Sequence, residues 1–279
     1  MTAIDASIVG AEVPPLPQRV DARWLMAYAA ALGENDPRCY DTLARTGPLG
    51  HPLFAVCFEW PALVALRDKT VAPALAPLSV HATHRLLIHR APRADETLLT
   101  TARLVGVERR RAGVLVTARL TTVDGHGAPV TTTDYGSVYR GVALTGDDVR
   151  PVLSERASPG PVAWEETIDV PAAAAHVYTE CARIWNPIHT DTAVARAAGL
   201  PGPILHGTAT LALAVSRVVA RDLGGEPGRV REIAARFTGM VPPGSRLVIR
   251  GRGGAGGAFA FDAVDADGRP VLGEGVLRA

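Results

Sequence analysis

The stretch Gly33-Glu34-Asn35-Asp36-Pro37-Arg38-Cys39-Tyr40-Asp41 returns later in the chain as Arg183-Ile184-Trp185-Asn186-Pro187-Ile188-His189-Thr190-Asp191, with Pro37 and Pro187, and Asp41 and Asp191, each 150 positions apart. An internal repeat fixes the architecture before any single element does. Working outward, the flanking patterns repeat in the same order. A helical pattern precedes each motif, Asp21–Leu32 and then Pro171–Cys181. A Gly/Pro loop follows each, at 47–52 and at 199–203, and then a longer apolar helix, Phe54–Arg67 and Gly207–Leu223.

After each long helix the apolar period falls from 3.6 toward 2, the mark of half-buried antiparallel strands. The first half offers Leu98–Val107, Val114–Val123 and Val130–Arg140; the second offers Ile233–Thr238, Arg246–Gly251, Ala258–Val264 and Pro270–Leu277. Turn chemistry separates them, at Arg111-Ala112-Gly113, Asp124-Gly125-His126-Gly127 and Asp265-Ala266-Asp267-Gly268. The Gly-rich run 251–257 has neither the Lys-Ser/Thr ending nor the following helix of a phosphate loop, and reads as a hairpin tip. Each half is one long helix on a curved sheet with an exposed edge, and two such halves can pair edge to edge. The fold class is α+β. The expected division is 1–144 for the first repeat, 145–161 for a linker rich in Asp, Ser, Pro and Gly, and 162–279 for the second.

Composition narrows the function. The chain has 279 residues, 47% hydrophobic and 20% charged, with 29 basic against 28 acidic side chains. Such balance gives no basic surplus for a polyanion, so nucleic acid is not an expected partner. The densest basic run, Arg109 to Arg111, falls between two strands and reads as a solvated hairpin tip. The N-terminus lacks an apolar segment behind a basic start, and no apolar run approaches the roughly 18–20 residues that cross a bilayer. The expectation is a cytoplasmic protein without membrane contact; its single lysine, Lys69, and its abundant Ala, Gly, Val and Pro suggest a GC-rich bacterial genome. Cys39, Cys57 and Cys181 form no C-x-x-C pair and read as reduced thiols. The spacings of His81, His84 and His89 do not put all three on one face of a strand, and no acidic ligand interleaves, so no metal is expected.

From Tyr178 through Asn186-Pro187-Ile188-His189-Thr190-Asp191, and on to Ala195, Gly199 and Pro203-Ile204-Leu205-His206-Gly207, the chain resembles the MaoC-like family of hot-dog proteins, the (R)-specific enoyl-CoA hydratases or hydratase 2. Residues 236–244 resemble that family's overhanging strand, and Tyr28, Gly33, Pro37, 95–104 and 139–141 its degenerate first repeat. The resemblance implies a double hot-dog in which the first half makes room for the acyl chain and the second keeps the site. It further implies a lyase that hydrates an enoyl thioester, or dehydrates a 3-hydroxyacyl one, carried by coenzyme A or an acyl carrier protein. His189 matches the family's histidine, Asn186 an orienting asparagine, and Gly207 the glycine whose N–H holds the thioester oxygen. No cofactor is implied beyond the coenzyme A or phosphopantetheine of the substrate, and a homodimer is the expected assembly.

One position departs. The family's aspartate lies five residues before its histidine, where this chain has Ile184. The first repeat carries the converse, with Glu34 at the acid position and Cys39 at that of the histidine. Three repairs are open. His189 performs both proton transfers through one water; a carboxylate such as Glu180, Asp191 or a first-half residue enters the pocket; or a local shift brings Arg183 against the substrate. Asp191 also has the position of a helix N-cap, His206 that of a loop residue bonding a carbonyl, and Trp185 that of a residue packed beside the pocket. Arg183, Ile184, Trp185 and His206 are the expected substrate contacts. Alternatives to the hydratase are a thioester-binding protein without that activity and an enzyme using the altered site for another thioester reaction.

Overall fold

The computed structural model describes residues 3–44, 47–151 and 160–279. The first repeat comprises β1 (Ala3–Asp5), β2 (Glu12–Val20), α1 (Ala22–Ala31), α2 (Ala55–Thr70), β3 (Ser79–Ile88), β4 (Glu96–Arg110), β5 (Gly113–Val123), β6 (Pro129–Arg140) and β7 (Ala143–Thr145). The second comprises β8 (Trp164–Asp169), α3 (Ala174–Ala182), α4 (Thr192–Ala197), α5 (Gly207–Asp222), β9 (Glu232–Phe237), β10 (Arg246–Ala255), β11 (Ala258–Asp265) and β12 (Pro270–Arg278). The core of the expected linker, 152–159, lies outside the described residues, and its first residue, Thr145, belongs to β7, which pairs with β1.

Ten strands form one sheet in the order β2-β4-β5-β6-β3-β9-β12-β11-β10-β8. Read from either end, equivalent elements of the two repeats appear in the same succession. The halves therefore meet edge to edge at β3 and β9, with Arg85 opposite Ala234 and Leu86 opposite Ile233. That junction hides the strand edge each half would otherwise expose. A second meeting point lies between α1 and α3, where the hydroxyls of Tyr28 and Tyr178, 150 residues apart, are 3.2 Å from one another and wholly buried.

α2 and α5 lie against the sheet and carry much of the core, including Phe58, Ala62 and Leu66 on one and Leu211, Val215 and Val218 on the other. The expected helices and strands are present, with three further long strands. Two of these, β2 and β8, are the sheet's edges. β2 contains Pro14, Pro15 and Pro17, which hid it from pattern reading; an edge strand tolerates prolines because one row of its N–H groups has no partner strand. Its pairing with β4 shifts register between Val13 and Leu16, across two of those prolines. The third, β3, is central and bulged between His81 and Thr83.

Candidate active site

α3 ends in a left-handed residue, Arg183, with φ of 57°, and the Ile184 N–H returns to the Thr179 carbonyl at 3.2 Å. This turn decides which side chains enter the protein. Ile184 goes inward and is 4% exposed, whereas Trp185 is 70% exposed. Arg183, expected against the substrate along with Trp185, is turned away as well: its guanidinium lies over the Trp24 ring at 4.2 Å, and 3.7 Å from Asp21. A cation above an indole face replaces the pocket role assigned to it.

Asn186 caps the short 3-10 turn Pro187–His189, its Oδ1 accepting from the Ile188 N–H at 3.4 Å. The turn presents His189, which is almost fully buried. Its Nδ1 lies 2.8 Å from the Ile204 carbonyl oxygen. A carbonyl can only accept, so Nδ1 carries the proton and Nε2 is left with its lone pair. Burial, only partly opposed by the Ile204 bond, pushes the imidazole pKa down to about 4, so the ring is neutral at pH 7. His206 stacks on it with ring centroids 3.6 Å apart and meets the Thr179 hydroxyl at 3.3 Å. Besides the backbone of Ile184 in the loop after α3, which fits the expected loop carbonyl, His206 thus meets a threonine side chain and an imidazole face. Desolvation and the neighbouring His189 both hold it neutral.

α5 begins at Gly207, directly after His206, and no side chain caps that end. The first N–H groups of a helix have no carbonyl within it, and the helix dipole concentrates partial positive charge there. Gly207 also fits its neighbourhood sterically, since a Cβ at this position would come within 3.0 Å of the Phe237 ring.

Ile184, Asn186, His189, His206 and Gly207 line one cavity of about 370 Å³, a volume suited to a small-molecule ligand. The rest of its wall comes from both repeats and includes Trp60, Leu63, Val116 and Leu120 from the first and Phe237, Met240 and Val241 from the second. Glu180 is exposed, and Asp191 spends its carboxylate capping α4 through the N–H groups of Ala193 at 2.7 Å and Val194 at 3.0 Å. Among the described residues, the carboxyl group lining the cavity is that of Glu59 on α2. It is buried and held at Oε1 by the hydroxyls of Thr131 at 2.8 Å and Thr133 at 3.0 Å, and desolvation pushes its pKa up to about 8. Sequence reading missed it, although an acid between Phe58 and Trp60 in an apolar helix was the available signal. His81 and His84 line the cavity too, because the β3 bulge puts these two on one face, while His89 instead meets the Thr132 hydroxyl.

This architecture is the double hot-dog. The chain superposes on a MaoC-like dehydratase from Phytophthora capsici with a TM-score of 0.82 over 95% of both chains at 22% identity. It also superposes on a Mycobacterium tuberculosis protein described as a double hot-dog, with a TM-score of 0.61 over 97% of this chain and 95% of that one at 16% identity. Residues 158–254 match the MaoC-like domain, and residues 7–133 match the FAS1-like dehydratase domain region. These two matches fall on the second and the first repeat respectively, and neither spans half of the chain. It is 41% identical over 64 residues to the peroxisomal enoyl-CoA hydratase 2 of Arabidopsis thaliana, a match covering 23% of this chain and 21% of that one. A fatty acid synthase β subunit of Aspergillus oryzae is 46% identical over 76 residues, 26% of this chain and 4% of the subunit. No helix among the described residues is long and apolar enough to cross a membrane.

Proposed function

We propose that this protein hydrates 2-enoyl thioesters, and dehydrates 3-hydroxyacyl thioesters, of coenzyme A or an acyl carrier protein. The observation that carries this reading is one arrangement: a neutral histidine with Nε2 free of its backbone bond, on the same cavity as the uncapped N-terminus of a 16-residue helix. The Gly207 N–H holds the thioester oxygen and takes up the charge that develops there, as an oxyanion donor does. His189 Nε2 removes a proton from water as its oxygen bonds to C3; the π electrons of C2=C3 move toward the carbonyl. The imidazolium then returns that proton to C2, restoring the carbonyl and the neutral ring. Asn186, fixed by its cap, orders the turn that carries His189.

Ile184 stands where the MaoC-like pattern has its aspartate. With Glu180 and Asp191 turned elsewhere and Glu59 anchored on the β6 side of the cavity, His189 handles both proton transfers on one face of the alkene. The buried, inert Ile184 is also what favours a second reading, a protein that binds acyl thioesters without hydrating them. The loss of enoyl absorbance on a panel of short, long and branched enoyl-CoA thioesters separates the two. Hydration by wild type that disappears in His189→Ala supports the enzyme; acyl-CoA binding with no turnover on the whole panel rejects it.

A further inference from the structure

Set in the largely apolar first-repeat wall of the cavity is one cluster of polar side chains that a plain hydrocarbon chain would not need. His84 is 2% exposed, lines the cavity, and has no hydrogen-bond partner at either ring nitrogen. Burial keeps it neutral, so one nitrogen is an unused donor and the other an unused acceptor. Tyr135 lies opposite it across β3 and β6, its ring 6.2 Å away and edge-on. His81 stacks on the Tyr135 ring at 3.7 Å and meets the His84 ring edge-on at 5.4 Å. It gives its Nε2 proton to the Thr83 carbonyl at 3.1 Å, so Nδ1 is an acceptor. Two residues along the same face of β6 from Tyr135, Thr133 holds Glu59, whose acid proton at neutral pH takes no part in the two threonine bonds. Phe237 joins this cluster to the proposed oxyanion position, with its ring 4.3 Å from that of His81 and in contact with Gly207.

Filling this cavity with methylene groups would leave the His84 donor and acceptor buried and unpaired, which is costly; an oxygen on the chain removes the cost. We propose that His84, with Tyr135, His81 and Glu59, binds a hydroxyl or keto oxygen on the acyl chain, making the substrate class oxygenated acyl thioesters. This rests on the reading that the cavity takes an acyl thioester, and it adds a chemical requirement on the chain itself.

The test uses saturated acyl-CoAs, which cannot be hydrated, so binding is read apart from turnover. Isothermal titration calorimetry compares the plain chain with chains of equal length carrying one ketone or hydroxyl walked along the carbons. Wild type is expected to bind the oxygenated chain at one position roughly tenfold or more tightly than the plain chain. That advantage is lost in His84→Leu and reduced in Tyr135→Phe and Glu59→Gln. A plain chain that binds as tightly as every oxygenated one overturns the inference, as does an advantage that survives all three substitutions. Should His84→Leu fail to fold, the wild-type series and the two conservative variants still decide. Hydration of plain enoyl-CoAs without any oxygen preference rejects this inference and leaves the hydratase standing; an oxygen preference without hydration of any enoyl-CoA does the reverse.

Discussion

The two repeats place equivalent residues around equivalent helix starts, yet one set closes on itself and the other opens onto a cavity. In the second repeat Tyr178 packs against His206, their rings 5.0 Å apart; in the first, Tyr28 packs against His51 at 5.6 Å. There the likeness ends. His51 accepts from the Leu53 N–H at 3.0 Å and turns its Nε2 to the Ser216 hydroxyl at 3.1 Å, while Ser216 donates to Glu34. His51 and Glu34 are thus tied together through Ser216 of α5, Leu53 and Phe54 fill the space before α2, and Cys39 stands at the position equivalent to His189. In the second set Gly207 leaves that space open, His189 keeps Nε2 clear of its backbone bond, and Ile184 stands at the position equivalent to Glu34. Under the proposed function, duplication has divided the labour: one copy of the motif is structural, and the other faces a cavity to which both repeats contribute walls.

The comparison breaks most sharply at its two equivalent positions, 39 and 189. His189→Ala is expected to lower the hydration rate about 10²–10⁴-fold, the usual worth of a general acid–base group, whereas Cys39→Ala retains it; comparable losses in steady-state assays of the two would refute the division of labour. Ile184→Asp sharpens it by returning a carboxyl to the inward position, and is expected to raise the turnover rate by about 10²-fold. An unchanged rate in that variant would mean that His189 has no need of a partner.

A third prediction concerns pH. Burial holds His189 neutral down to about pH 4, so the base form persists where an ordinary histidine, with a pKa near 6.5, is already charged. Hydration at pH 5.5 should stay within about twofold of its value at pH 7, against the roughly tenfold loss expected of an unshifted base. Stability has the opposite tendency. His51, held down to about 3, His84 and His189, both to about 4, resist protonation in the folded protein. Below about pH 6.5 the unfolded chain binds more protons than the folded one, and each such histidine removes about 1.4 kcal/mol per pH unit until its own pKa is reached. Rates in a rapid pH jump and equilibrium unfolding curves over pH 4–7 check both statements.

The smallest effect on rate is expected at Ser216. Ser216→Ala removes the hydroxyl that bridges the buried His51 Nε2 and Glu34, leaves His51 with its backbone bond to Ala212, and is expected to cost about 1 kcal/mol of stability by denaturant titration, with hydration preserved. Loss of hydration at full stability would show that the first-repeat network serves the reaction.

Particular residues explain what the sequence made legible. The repeat was readable because Pro37 and Pro187, and Asp41 and Asp191, are local turn and cap signals, and Asp21 and Asp191 do cap α1 and α4. Arg183 was not. Its equivalent, Gly33, announces a left-handed residue with φ of 68°, but an arginine in that conformation gives no such sign, and the turn it makes sends Arg183 and Trp185 outward. The β3 bulge was invisible for a related reason: positions 81 and 84 lie on opposite faces of a regular strand, and only one inserted residue brings the two histidines together. Glu59 needed tertiary knowledge, since its burial is made acceptable by two threonines from a strand more than 70 residues away.

The central claim is that a single histidine performs both proton transfers, and the stereochemistry of hydration in deuterium oxide tests it most directly. With crotonyl-CoA as substrate, NMR of the 3-hydroxybutyryl product gives the relative configuration at C2 and C3. One base handing the proton of one water back to the alkene predicts syn addition, with deuterium and hydroxyl on the same face. Anti addition would require an acid on the opposite face and would contradict the account.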